Sequence, residues 1–183
     1  MTETISSSTG STEPSLRPYL PFFILILTAF VSFSFKNIDK APADRANDAE
    51  MMQFRADITG YAQNFTGLKY RYAGYSPKTG FDCSGFTSYI LDEFNVKISR
   101  CSRTQSAQGK KTSLSDVLPG DLVFFGRPGR IQHVALVVEN TAEGIICVHS
   151  TSSRGIIVEN ISTSKYWKPK ILFARDVITG QAI

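Results

Sequence analysis

The sequence predicts an α+β domain in which helices come first and an antiparallel sheet follows, and three observations support that order. Before residue 95, apolar residues recur at spacings of three and four in two stretches. After residue 120, runs rich in β-branched and apolar residues take over. A polar link of hairpin length, Asn140 to Glu143, joins two of those runs, His133 to Glu139 and Gly144 to Ser150. There are no internal repeats.

The elements follow in chain order. Residues 1–18 form a Ser/Thr-rich polar tail whose one cation is Arg17. Residues 19–35, YLPFFILILTAFVSFSF, are an apolar run of 17 residues without a charge. That is short for a comfortable membrane span and suits a signal-peptide core or a tilted anchor. Ser32 and Ser34 offer a small-x-small pattern before a cut after Ser34, and no cysteine follows closely enough for a lipid anchor. Lys36 and Lys40 lie beyond the run, which by the positive-inside rule favours the orientation opposite to export. Residues 36–48 read as a polar linker, and 49–183 remain as one domain of about 135 residues, enough for its own core.

Within that domain Met51, Phe54, Ile58, Tyr61 and Phe65 predict an amphipathic helix over 50–65. Gly74 to Gly80, GYSPKTG, has the composition of a loop that cannot hold a regular ladder. Phe86, Ile90 and Phe94, with Leu91 beside them, predict a second helix from Cys83 to Phe94, and a polar helical patch follows over 102–109. About five strands are then expected, over 121–125, 133–139, 144–150, 155–158 and 171–175.

The net charge of +4 suits an anionic polymer, but the basic residues are scattered, and no strip interleaved with aromatics argues for nucleic acid. Arg127 and Arg130 are most simply solvated loop charges, with a substrate role as the alternative because their loop leads into His133.

Chemistry concentrates at FDCSGF, Phe81 to Phe86, where Cys83 sits at the passage from loop to helix. Unpaired N–H groups and the helix dipole favour an anion there, so a lowered thiol pKa is expected. The plainer reading is a packing cysteine. A thiolate nucleophile needs a base held by a third group, and the chain has 2 histidines, His133 and His149. A hairpin turn centred on Thr141 sets them directly opposite, and one centred on Ala142 makes them diagonal neighbours on one face. A half-integer centre puts them on opposite faces. With 3 cysteines at least one stays free, a Cys101–Cys147 disulfide is conceivable, and Cys147 on the His149 face more naturally fills core space. No spacing of zinc-ligand type is present.

The run GLKYRYAGYSPKTGFDCSGF, then LPGDLVFF and HVALVV, resembles the NlpC-type (NlpC/p60) cell-wall cysteine peptidases over nearly all of the chain after residue 49. The resemblance implies a papain-like cysteine peptidase core, with N-terminal helices packed on the antiparallel sheet. It makes Cys83 the nucleophile, His133 the base and His149 the orienting residue, a place where the family carries His, Asn or Gln. It also implies that Tyr70, Asp82 and Ser84 bind substrate, the last two gripping the free amine of a peptidoglycan stem peptide. Tyr70 could equally pack as one of the alternating pair Tyr70 and Tyr72, and Asp82 could serve as a helix N-cap. Ala73 departs from the family pattern, which has glycine there, and the loop to Cys83 is one residue longer than in many members.

The expected activity is hydrolysis of the γ-D-glutamyl-diamino acid bond, without a metal or other cofactor. A cell-wall amidase or acyltransferase on the same scaffold, or a non-catalytic peptidoglycan-binding relative, is the alternative. Such a substrate implies an exported monomer in the periplasm or cell envelope, held at the membrane through residues 19–35 if they are not cleaved. That functional argument outweighs the charge placement around the apolar run.

Overall fold

The computed structural model describes residues 41–179. The apolar run 19–35 and the tail before it lie outside the described residues; among the described residues no helix is long and apolar enough to cross a membrane. Packing divides the chain after Arg45, and the unit from Ala46 onward carries the sheet and the helices packed on it.

Helix α1 (Pro42–Gln63) starts before the expected Glu50, inside the stretch read as linker. Proline at the first helical position sacrifices no bond, and Ala43 to Glu50 are exposed, so no apolar stripe marks this part of the helix in the sequence. Farther along, Ile58 and Ala62 are buried, and Met51, Phe54, Tyr61 and Phe65 pack on the same cluster. Arg55 falls within that stripe and is fully buried. Its guanidinium donates to Asp121 Oδ1 at 2.8 Å, Asp176 Oδ1 at 2.8 Å, Thr179 Oγ1 at 3.0 Å and the Pro119 carbonyl at 2.9 Å, pinning α1 to the start and end of the sheet.

The loop before Cys83 does hold a small ladder, contrary to expectation: β1 (Tyr75–Ser76) and β2 (Gly80–Phe81) pair antiparallel. Close backbone packing allows it, because Gly74 and Gly80 sit where a Cβ would lie 2.4 Å from the Gly80 carbonyl and 2.5 Å from that of Lys69. Helix α2 (Cys83–Glu93) follows as predicted, with Phe86, Ile90 and Leu91 fully buried. Helix α3 (Ser102–Gln105) is shorter than the expected patch. The chain leaves it to reach Gly109, which adopts φ 71° against the Asp176 carbonyl.

Six strands form the main sheet, one more than expected: β3 (Lys110–Thr112), β4 (Leu122–Arg127), β5 (Arg130–Thr141), β6 (Gly144–Thr151), β7 (Gly155–Asn160) and β8 (Ile171–Asp176). Their order is β3-β8-β4-β5-β6-β7, and every neighbouring pair is antiparallel. The strand missed in the sequence, Lys-Lys-Thr, has no apolar alternation and lies at an edge, where lysines discourage further pairing. Both faces of the sheet are covered. Leu122, Phe124, Val134, Leu136, Val148 and Ile156 pack with α1 and α2. Val123, Phe125, Ala135, Val137 and Cys147 form a second core with Ile161 and Trp167.

The β5–β6 hairpin decides the fate of the histidines. Thr141 pairs with Gly144, so the turn centres between Ala142 and Glu143, the half-integer case that alone would separate the two rings. A bulge between Val137 and Glu139 shifts the register by one residue, and Val137 pairs with Cys147 and Leu136 with Val148. Beyond the bulge the strands are in the register of a turn centred on Ala142. His133 and His149 are therefore diagonal neighbours on one face.

Candidate active site

The start of α2 is fixed by its own residues. Asp82 is the N-cap, its Oδ1 accepting the Gly85 N–H at 2.6 Å and the Ser84 hydroxyl at 3.2 Å. Gly85 lets the Gly74 carbonyl come within 2.0 Å of where a Cβ would stand, so the loop lies directly on the first helical turn. Gln105, fully buried, donates to the Ser84 carbonyl at 3.1 Å and accepts from Thr87 at 3.2 Å. From the sheet side, the Ser150 hydroxyl donates to the Phe81 carbonyl at 2.7 Å and ties the end of β6 to the strand leading into Cys83.

A cavity of about 680 Å³ opens where these elements meet, lined by Tyr70, Cys83, His133, Arg154, Trp167 and Lys170 among others. Of the residues singled out in the sequence, Cys83, His133 and Tyr70 share this lining. Asp82 and Ser84 flank the thiol in the chain but do not line the cavity, and His149 lies behind His133, fully buried. Tyr72 is 86 % exposed, so neither of the alternating tyrosines is a core residue. Arg127 and Arg130 are exposed and outside the lining; Arg154 and Lys170 supply its cations.

His133 Nε2 and His149 Nδ1 are 2.8 Å apart. His149 Nε2 in turn lies 3.0 Å from Glu159 Oε1, which also accepts from Trp167 Nε1 at 2.9 Å and from the Arg154 guanidinium at 2.6 Å. The Trp167 ring stacks on His133, with centroids 4.5 Å apart and planes 22° from parallel, and stands edge-on to His149 at 5.0 Å. Trp167 and Glu159 were missed in the sequence. The β7 strand was expected to stop at Val158, and one more residue of pairing, Cys147 with Glu159, puts this carboxylate on the histidine face. Trp167 comes from an irregular segment that no periodicity marks.

The electrostatics correct one expectation. Burial pushes the Cys83 thiol above its ordinary 9.0; the Val134 N–H pulls it down, and the Asp82 charge raises it again. Desolvation outweighs the helix-start effect. His133 falls well below 6.5 through burial and the neighbouring His149, and His149 is lowered by burial despite Glu159. Both shifts favour the neutral form, thiol at Cys83 and imidazole at His133. The effect expected at Cys83 is found at Cys101, whose exposed thiol is lowered by the N–H groups of Thr104 and Arg103 at the start of α3. All three cysteines are free, so Cys101 and Cys147 do not pair, and Cys147 fills the second core as expected.

Ala73 has φ 54°, the left-handed conformation that glycine adopts at least cost. The two positions of the Ala73-Gly74 pair thus need glycine for different reasons, the first for its dihedral and the second for close approach. This chain keeps only the second.

The model of the NlpC/P60 family matches residues 67–176. A gamma-DL-glutamyl hydrolase of Bacillus subtilis (strain 168) is 29 % identical over 162 residues, covering 86 % of this chain and 37 % of the hydrolase. A probable endopeptidase NlpC of Escherichia coli (strain K12) is 28 % identical over 158 residues, 85 % of this chain and 99 % of that protein. Among solved structures, an NlpC/P60 family protein from Bacillus cereus ATCC 10987 superposes with a TM-score of 0.62 at 28 % identity, over 67 % of this chain and 40 % of that one. The chain therefore spans well under half of two of these relatives and nearly all of the third.

Proposed function

The chain belongs to the NlpC/P60 family, and on that premise we propose that it is a cysteine endopeptidase hydrolysing γ-D-glutamyl-diamino acid bonds in peptidoglycan stem peptides. The observation that carries the reading is the meeting of Cys83 and His133 on one cavity, with His133 held by His149 at 2.8 Å. In this reading the Cys83 proton passes to His133 as Sγ attacks the amide carbonyl. Backbone N–H groups at the start of α2 receive the charge that develops on the carbonyl oxygen. The imidazolium then protonates the leaving amine as the C–N bond breaks, and a water deprotonated by the same imidazole releases the acyl group and restores the thiol.

Because burial favours the neutral thiol and imidazole, proton transfer accompanies the attack of Sγ in this reading. Arg154 and Lys170 bring positive charge to the cavity and suit the free carboxylates of a stem peptide. Tyr70 faces the same space, and Asp82 and Ser84, which flank the thiol in the chain, are the proposed hold on the peptide's free amine. Export, with residues 19–35 as signal or anchor, completes the reading.

The test is digestion of purified muropeptides by the wild-type protein and by Cys83→Ala, with products read by mass spectrometry. Wild type should release fragments ending in D-glutamate, and the variant none. Identical products from both would sink the proposal, and a cut between the sugar and the first alanine would mark an amidase.

A further inference from the structure

We propose that Glu159 is a positioning residue that acts through His149 to fix the protonation pattern of the catalytic base, His133. The inference rests on the endopeptidase reading for the role of His133, but its geometry stands apart from any substrate. Three nitrogens converge on one oxygen, Glu159 Oε1: Arg154 at 2.6 Å, Trp167 Nε1 at 2.9 Å and His149 Nε2 at 3.0 Å. A guanidinium and an indole can only donate, and a carboxylate oxygen accepts. His149 therefore carries its proton on Nε2. In the neutral ring Nδ1 is then a bare acceptor, and the 2.8 Å contact must be a bond donated by His133 Nε2–H. That leaves the other nitrogen of His133, Nδ1, with its lone pair free to take the thiol proton. One carboxylate on β7 thus sets the tautomers of two successive imidazoles.

Trp167 enters the same device. Its indole N–H is held by Glu159 while its ring lies 4.5 Å from His133, so the group that fixes the proton also fixes the plane of the base. This explains why a histidine can fill the third place at all. An asparagine there has an amide oxygen near the Nδ1 position and needs no tautomer, whereas a histidine offers an acceptor only if something takes its other proton. An asparagine is also too short to reach the Nε2 position and touch Glu159.

The experiment is a double-mutant cycle between Glu159→Leu and His149→Asn, together with ¹⁵N NMR of the histidine rings. Glu159→Leu in the wild-type background should lower kcat by about 10- to 100-fold, whatever the freed Arg154 does to KM. In the His149→Asn background the same change should cost at least about 3-fold less, the remainder being the loss of the Trp167 hold on the plane of His133. Equal losses in both backgrounds would mean that Glu159 is merely structural and would overturn the proposal. The NMR signature needs neither a substrate nor a stable variant: in the wild-type protein His149 should carry its proton on Nε2 with Nδ1 bare. A proton on Nδ1 overturns the inference even if Glu159→Leu fails to fold. A wild-type protein that shows this tautomer but cuts no muropeptide leaves the inference standing and removes the endopeptidase reading.

Discussion

Thiols react as anions, so the cysteines can be ranked by their surroundings. Cys83 is held above its ordinary value by burial, Cys101 is exposed and lowered by the first N–H groups of α3, and Cys147 is completely buried. At mildly acidic pH iodoacetamide should therefore label Cys101 first, Cys83 more slowly and Cys147 last, with sites read by peptide mass spectrometry. If Cys83 leads, the protein at rest already holds a thiolate at Cys83. The order is the reverse of what FDCSGF suggests by itself. A helix start is visible in sequence, but the burial that opposes it comes from parts of the fold that are distant in the chain.

Elements tell a similar story of local signals that hold and non-local ones that are invisible. Helix α2 was legible because its apolar face is complete within 12 residues, Cys83 to Phe94. The first half of α1 was not, because an exposed helix has no face to show. The bulge in β5 is the instructive case: the turn between Ala142 and Glu143 would alone set the histidines on opposite faces, and one extra residue near Val138 restores the shared face that a turn centred on Ala142 gives. Arg55 was equally hidden, a cation in an apolar stripe with partners 64 to 124 residues away. Its removal leaves Asp121 buried, a carboxyl that burial already pushes up to about 6 with Arg55 beside it. Arg55→Ala should cost about 3–5 kcal/mol in denaturant unfolding. A loss below about 1 kcal/mol would show that the four bonds contribute nothing net and that α1 is held by its apolar face alone.

At the scale of the molecule, the α+β, papain-like core brings a cavity wall from the helices and another from the sheet, and both histidines are buried where they meet, which lowers their affinity for protons. That arrangement makes stability depend on pH. In the unfolded chain each histidine takes up a proton near 6.5, whereas in the folded protein both resist protonation until lower pH. As pH falls below 6.5 the unfolded state binds more protons, so stability falls, by about 1.4 kcal/mol per pH unit for each histidine that stays neutral. Asp121 acts in the opposite sense below about 6, because the folded state takes up its proton before the unfolded one does at 3.8. The clearest window is therefore the stretch just under 6.5, before Asp121 offsets part of the loss. Thermal unfolding should show Tm dropping as pH falls through that window, and His149→Asn, which removes one of the two groups, should reduce the slope by about half. A slope unchanged by His149→Asn would mean that His149 binds protons alike in the folded and unfolded states, and that Glu159 offsets its burial.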